Sequence, residues 1–289
     1  MLIARPIDPA RDLPAVAELL GRTRASGGLS HPGGIQWWLR GLFDDRDGVE
    51  AYVWKDEGDL AGFALVDKTF VVTERLGQGP THEEQLDWIE GRLRAAGRES
   101  LHTHVANDDP VREALERRGY SQVGTELELM ADVDAEPARA LLPDGYRFAS
   151  LEDVSDEAYI DGHRAAWSDA RPSPYRRELH EAVRRMPQFR PDLVTIALAP
   201  DGTVASYCIG WLDERSRTLE IEPLGTHRDH RRLGLADAVV REVQHRAWAN
   251  GATRVLVWSG PANNPAAFAL YTGAGMSPRR TLIEYGLPL

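Results

Sequence analysis

The feature that most constrains this chain is an internal repeat of element order. Each half opens with a short strand, LIARPI at 2–7 and GYRFASL at 145–151. Each continues into a helix-start signal: Asp12-Leu-Pro-Ala before AVAELLGRTR, and Ser155-Asp-Glu-Ala before YIDGHRAAW. A second helical stretch follows, GIQWWLRGLF in one half and RRELHEAVRRM in the other. Paired strands come next, turning near Asp56-Glu57-Gly58 and at Pro200-Asp201-Gly202. An amphipathic helix (HEEQLDWIEGRLRAAG; LADAVVREVQHRAWANG), a strand (SLHTHVA; RVLVWSG), a short helix and a final strand close each half. The period is far longer than a solenoid unit, so it predicts two copies of one α/β (α+β) domain. A length of 289 residues fits two domains of about 100–200 residues each. The segment DAEPARALLPDG at 134–145 reads as the linker, giving domains 1–135 and 144–289.

Composition excludes several classes. No apolar run approaches the roughly 18 residues of a membrane span, and the N-terminus lacks a secretion signal, so a cytoplasmic protein is expected. The net charge of −11, with no basic block, argues against nucleic acid as a partner. Cys208 is the single cysteine, which precludes an intrachain disulfide and argues against a zinc cluster. It sits in the apolar run TVASYCIGW and reads as a small core residue.

Two segments of the second half carry chemistry. In TLEIEPLGTHRDHRRLGLADAVVREVQ, an alternating strand ends near Thr226. Arg231-Arg232-Leu233-Gly234-Leu235-Ala236 then leads into a helix. A helix start presents unpaired N–H groups and partial positive charge, which suit a diphosphate. Gly234 and Ala236 keep bulk away from it, and Arg231 and Arg232 add positive charge. The same string also suits an ordinary loop before a helix. The second segment runs from Asn264 to Leu270-Tyr271 and on to Gly275-Met276. Tyr271 near a helix end suits a proton donor or, equally, a packed aromatic.

In their order and separation these segments resemble the GNAT superfamily of acetyltransferases. Its R/Q-x-x-G-x-G/A motif matches Arg231 to Ala236. Its N-x-x-A-x-x-L-Y-x-x-x-G-F signature matches Asn264, Ala267, Leu270, Tyr271 and Gly275, with Met276 in place of the aromatic. The resemblance covers roughly 144–289. It implies two tandem GNAT-type domains, each a mixed, mostly antiparallel sheet flanked by helices. It also implies acetyl-CoA as co-substrate and direct transfer of acetyl to a primary amine.

By resemblance, the strand Leu219–Thr226 parts from its neighbour. The Leu224 N–H then meets the acetyl oxygen, and Thr226 pairs with the pantetheine arm. Arg231, Arg232, Leu233, Gly234, Leu235 and Ala236 hold the diphosphate, and Tyr271 is general acid to the thiolate. Pro223 fits a parting strand or an edge strand. Glu220 and Glu222 share a strand face, and either can be the base; Glu220 is slightly favoured. Asn264 contacts the cofactor or caps the helix of Tyr271. Trp167, Ser168, Asp169, Arg171 and Tyr175 fall where the acceptor pocket is built, Asp169 suiting an amine and Arg171 a carboxylate. The acceptor is then a small-molecule amine or a peptide, on a monomer or homodimer, with no metal and no membrane or nucleic-acid partner.

The first half keeps the order and loses the motifs. VVTERLGQGPTHEEQLDWIEGRL places Arg75, Gly77 and Gly79 near the loop, but Pro80, Glu83 and Glu84 follow, and acid is unfavourable beside a diphosphate. The strand carrying the oxyanion donor reads as shortened or merged with its predecessor. Counting back from Gly119-Tyr120, Leu115 takes the place of Tyr271. This half is expected to be a degenerate, non-catalytic copy. Its loss leaves a non-catalytic acyl-CoA sensor or interaction module as the alternative for the whole chain.

Overall fold

The computed structural model describes residues 4–43, 48–56, 58–76, 79–169 and 171–289. Predicted features at Leu2–Ile3, Glu57 and Gly77 lie outside them. The chain forms two compact units, Met1–Glu128 with Arg279–Leu289, and Leu129–Pro278.

In the first unit, β1 (Ala4–Pro6), β2 (Val49–Asp56), β3 (Asp59–Asp67) and β4 (Phe70–Arg75) run antiparallel in that order. The strand β5 (Ser100–Ala106) pairs parallel to β4 through Phe70↔His102 and Val71↔Thr103 alone. The helices are α1 (Pro9–Ala25), α2 (Pro32–Leu39), α3 (His82–Ala95) and α4 (Val111–Arg117). The α1 helix starts earlier than Asp12-Leu-Pro-Ala suggests. Asp8 is its cap and accepts the Ala10 N–H, while Asp12 accepts the Asp8 N–H from inside the first turn and pairs with Arg5 and Arg11. The strand after β3 is short but not merged with it. Lys68, at φ 57°, makes a separate turn into the six residues of β4.

In the second unit, β7 (Arg147–Ala149), β8 (Val194–Leu198), β9 (Val204–Asp213) and β10 (Thr218–Thr226) are successively antiparallel, and β11 (Arg254–Trp258) joins β10 in parallel. The helices are α5 (Asp156–Ala166), α6 (Arg177–Arg184), α7 (Leu235–Ala249) and α8 (Pro265–Gly273). Every residue of β8 and β9 is buried, as expected of central strands covered on both faces. Ser155 caps α5 as the sequence predicts, accepting the Ala158 N–H. Cys208 is buried in β9, and burial raises its thiol above the usual range.

Within each unit the strand pairing is therefore mixed and mostly antiparallel. The division departs from a split at 135/144 in its last strands. The strand β12 (Ser277–Pro288) pairs with β5 over seven residues, Leu282↔Ala106 to Pro288↔Ser100, and its Ile283, Tyr285 and Leu287 join the core of the first unit. The end of β6 (Ser121–Asp132) passes into the second unit, where the Val133 N–H bonds to the Thr253 carbonyl. Local patterning cannot distinguish these two final strands, because both carry alternating apolar residues; the partner strand decides. Among the described residues, no helix is long and apolar enough to cross a membrane.

Candidate active site

The strand β10 holds the centre of the second unit. Its pairing with β11 runs Thr218↔Arg254, Leu219↔Val255, Glu220↔Leu256 and stops there. Its pairing with β9 continues to Thr226↔Ser206. From Ile221 onward the side of β10 that faced β11 has no ladder partner among the described residues. Pro223 sits at the register shift between Ile221 and Leu224, where β10 carries one residue more than β9. Of the two readings of Pro223, the parting strand holds: β10 is not an edge strand.

The gap leads to the start of α7. His227–Arg231 form a single tight turn, and Gly234 caps α7 at φ 78° with no side-chain hydrogen bond to the first N–H groups. A methyl group added at Gly234 would meet no atom within 4 Å, so the space before the helix is open. Arg232, at φ 64°, Leu233 and Gly234 are exposed. Leu235 is buried and anchors the helix, and Ala236 is half-buried. Arg231 is occupied elsewhere. Its Nε donates to the Thr226 carbonyl at 3.3 Å, Nη2 to the Ala166 carbonyl at 2.9 Å, and Nη1 to Asp169 at 2.8 Å. Thr226 itself is held by Ser206, whose Oγ lies 3.0 Å from its Oγ1.

The helix α8 carries Tyr271. Asn264 caps this helix through the Ala267 N–H at 3.1 Å. Tyr271 is 6% exposed, and its hydroxyl makes no hydrogen bond to a described residue. Burial raises its pKa above the usual phenol value, and negative charge at Cys208 and Glu222 adds to the effect. Glu222 is thus close enough to oppose ionisation of Tyr271, of Tyr207 and of Cys208. It is half-buried, whereas Glu220 is 4% exposed within the paired part of β10. Neither is a solvated surface carboxylate.

The predicted acceptor residues separate. Trp167 is 51% exposed at the end of α5, its indole N–H fixed on the Tyr207 hydroxyl at 2.7 Å. Asp169, expected to face an amine, is paired with Arg231. Arg171 lies on an open pocket of about 410 Å³ with Ser168, Asp169, Pro172 and Arg228. Tyr175, expected in the pocket wall, is instead 3% exposed; its ring stacks on His163 at 3.7 Å and its hydroxyl lies 3.0 Å from His180 Nδ1. Tyr175 belongs to a buried group with Tyr159, His163, His180 and Tyr207 that sequence reasoning missed. The Tyr159/His163 spacing on one helix face was its only trace. Among the described residues, no group of three His, Cys, Asp or Glu is arranged to hold a metal ion.

The first unit has the same frame without the opening. Its β4 also parts from β5 after Val71. Yet the Thr81 and Glu84 side chains form a complete capping box at the start of α3, with the Thr81 N–H donating to Glu84 at 2.8 Å and the Glu84 N–H to Thr81 Oγ1 at 3.2 Å. These bonds hold the Glu84 carboxyl below its usual range. A methyl group at Gly79 would lie 2.1 Å from the Ala61 carbonyl oxygen. Leu115 is 1% exposed in the core.

The profile of the Acetyltransferase (GNAT) family matches residues 157–276. The fold extends to the whole chain. A tandem GNAT protein from the clavulanic acid biosynthesis pathway superposes with a TM-score of 0.66 at 15% identity, covering 100% of this chain and 98% of that one. The family match lies within the second unit, and the chain as a whole shares the fold of tandem GNAT structures. A GCN5-related N-acetyltransferase from Sphaerobacter thermophilus gives a TM-score of 0.61 at 21% identity, over 99% and 95% of the two chains. A GNAT-family acetyltransferase from Colwellia psychrerythraea gives 0.59 at 12%, over 99% of each. No curated protein matches the sequence. At these identities the GNAT structures bear on fold, and a GNAT fold supports acyl transfer in general.

Proposed function

We propose that the second unit transfers an acetyl group from acetyl-CoA to a primary amine, and that the first unit does not catalyse. The observation that carries this reading is the end of the β10/β11 pairing at Glu220 on the strand that runs to the uncapped start of α7, with Tyr271 close enough to Glu222 on that strand to feel its charge.

The residues fit acetyl-CoA. The open space over Gly234 and the uncapped N–H groups of Leu235 and Ala236 suit a diphosphate, with Arg232 adding charge. Arg231 serves through its backbone and by bracing the loop, because its guanidinium is engaged by Asp169 and two carbonyls. The unpaired side of β10 around Leu224 and Thr226 offers backbone groups to an extended amide-bearing arm. Acetyl-CoA supplies the acetyl group as an activated thioester.

At neutral pH an ordinary amine is protonated, so a base must accept its proton before attack. Glu222 suits this role better than Glu220, being half-buried beside Tyr271. The Leu224 N–H donates to the oxygen that gains charge as the acetyl group moves. Tyr271 gives its proton to the departing sulfur, and its raised pKa keeps that proton in place beyond the usual phenol range. Asn264 orients Tyr271 by capping its helix. The acceptor, a small amine or a peptide, approaches past Trp167.

Thiol release from acetyl-CoA with a panel of amines tests the reading. Amine-dependent release is expected. Tight acetyl-CoA binding without release across the panel would favour a sensor.

A further inference from the structure

The open pocket of about 410 Å³ is lined by Ser168, Asp169, Arg171 and Pro172 from the loop after α5 and by Arg228 from the turn after β10. It is a shallow surface depression in which Ser168 and Asp169 are held by hydrogen bonds. Ser168 Oγ donates to the Arg164 carbonyl and accepts the Ser173 N–H at 3.0 Å, and Arg231 pins Asp169 at 2.8 Å. The one carboxylate in the lining is therefore neutralised by a guanidinium from the loop behind it. Arg171 and Arg228 are exposed, and neither makes a hydrogen bond or ion pair with a described residue. Asp229, next along the turn, faces His227 at 3.9 Å. In a chain of net charge −11, these two guanidiniums give the pocket a net positive lining.

We infer that this pocket binds a carboxylate carried by the acceptor, so that the substrate class is an amino acid or a peptide-like amine with a free carboxyl group. This rests on the acyl-transfer reading. Guanidiniums recognise carboxylates through paired N–H donors. With Asp169 already paired, the pocket has little to offer a cation. The ammonium end is left to the β10 side, where Glu222 stands.

The test uses the intact chain, with and without CoA, titrated by ligand-observed NMR with two pairs of amines: L-lysine against cadaverine, and L-phenylalanine against phenethylamine. In at least one pair the carboxylate-bearing member is expected to bind at least tenfold more tightly. That preference should vanish in Arg171→Ala/Arg228→Ala and largely survive in Arg171→Lys/Arg228→Lys, with thermal melts verifying that each variant folds. Equal affinity within both pairs, or a preference that the double alanine variant keeps, would overturn the inference. A calorimetric arm compares CoA with 3′-dephospho-CoA. If the double alanine variant weakens CoA tenfold and leaves 3′-dephospho-CoA unchanged, the pocket belongs to the cofactor's phosphate and the carboxylate assignment falls. Failure of the acyl-transfer reading has a separate signature, since wild-type protein would then release no thiol from acetyl-CoA with any amine of the panel.

Discussion

The starts of α3 and α7 occupy the same place in two copies of one frame. Both follow a strand that parts from a parallel neighbour, at Val71/Thr103 in the first unit and at Glu220/Leu256 in the second. At α3 the first N–H groups are satisfied internally, by Thr81 and by the Glu84 carboxylate. At α7 no side chain caps the helix, and Gly234 leaves the approach open. A helix N-terminus binds an anion only if it has not already bound its own. The same divergence recurs four residues before the glycine that ends each short helix: Leu115 fills a core, and Tyr271 keeps a hydroxyl without a partner among the described residues. One copy has spent these positions on stability, and the other has left them available.

The comparison can be broken in graded steps. The largest effect is expected from Tyr271→Phe, which should slow turnover by about 10²–10⁴-fold while leaving acetyl-CoA affinity nearly unchanged, measured by steady-state kinetics and calorimetry. The raised phenol pKa adds a sign. The protonated form is the active one, so wild-type kcat should not fall through loss of this proton until the pH exceeds the ordinary phenol value of about 10. Leu115→Ala, the matching change in the first unit, should instead cost about 2–5 kcal/mol of stability with acetyl-CoA affinity unchanged, read by denaturant unfolding. Ala236→Glu, which adds a second acid beside Asp237 in the first turn of α7 and so matches the acidic pair of α3, should weaken acetyl-CoA binding about 10–100-fold, or roughly 1.4–2.7 kcal/mol. The smallest effect belongs to Thr81→Ala, about 1 kcal/mol of stability through the lost cap. That variant should not create a second acetyl-CoA site.

Much of this contrast was legible in the residues. The duplicated element order, the Gly234–Ala236 loop and the Tyr271/Leu115 difference all follow from patterns local in sequence, and local patterns report what a helix start or face requires. The acidic Glu83-Glu84 pair flagged the first copy, although the physical reason proved to be a capping box rather than repulsion alone. Pairings between distant residues were not legible. Nothing near Asp169 marks Arg231 as its partner 62 positions away, and nothing near Tyr175 marks it as buried against His163. The final strand was misassigned for the same reason, since strand alternation specifies a face and not a neighbour.

Calorimetric titration of the full chain with acetyl-CoA tests the central asymmetry most directly. One molecule bound per chain, weakened by Ala236→Glu and unaffected by Thr81→Ala, is the predicted result. Two molecules per chain, or a single site indifferent to Ala236→Glu, would contradict it.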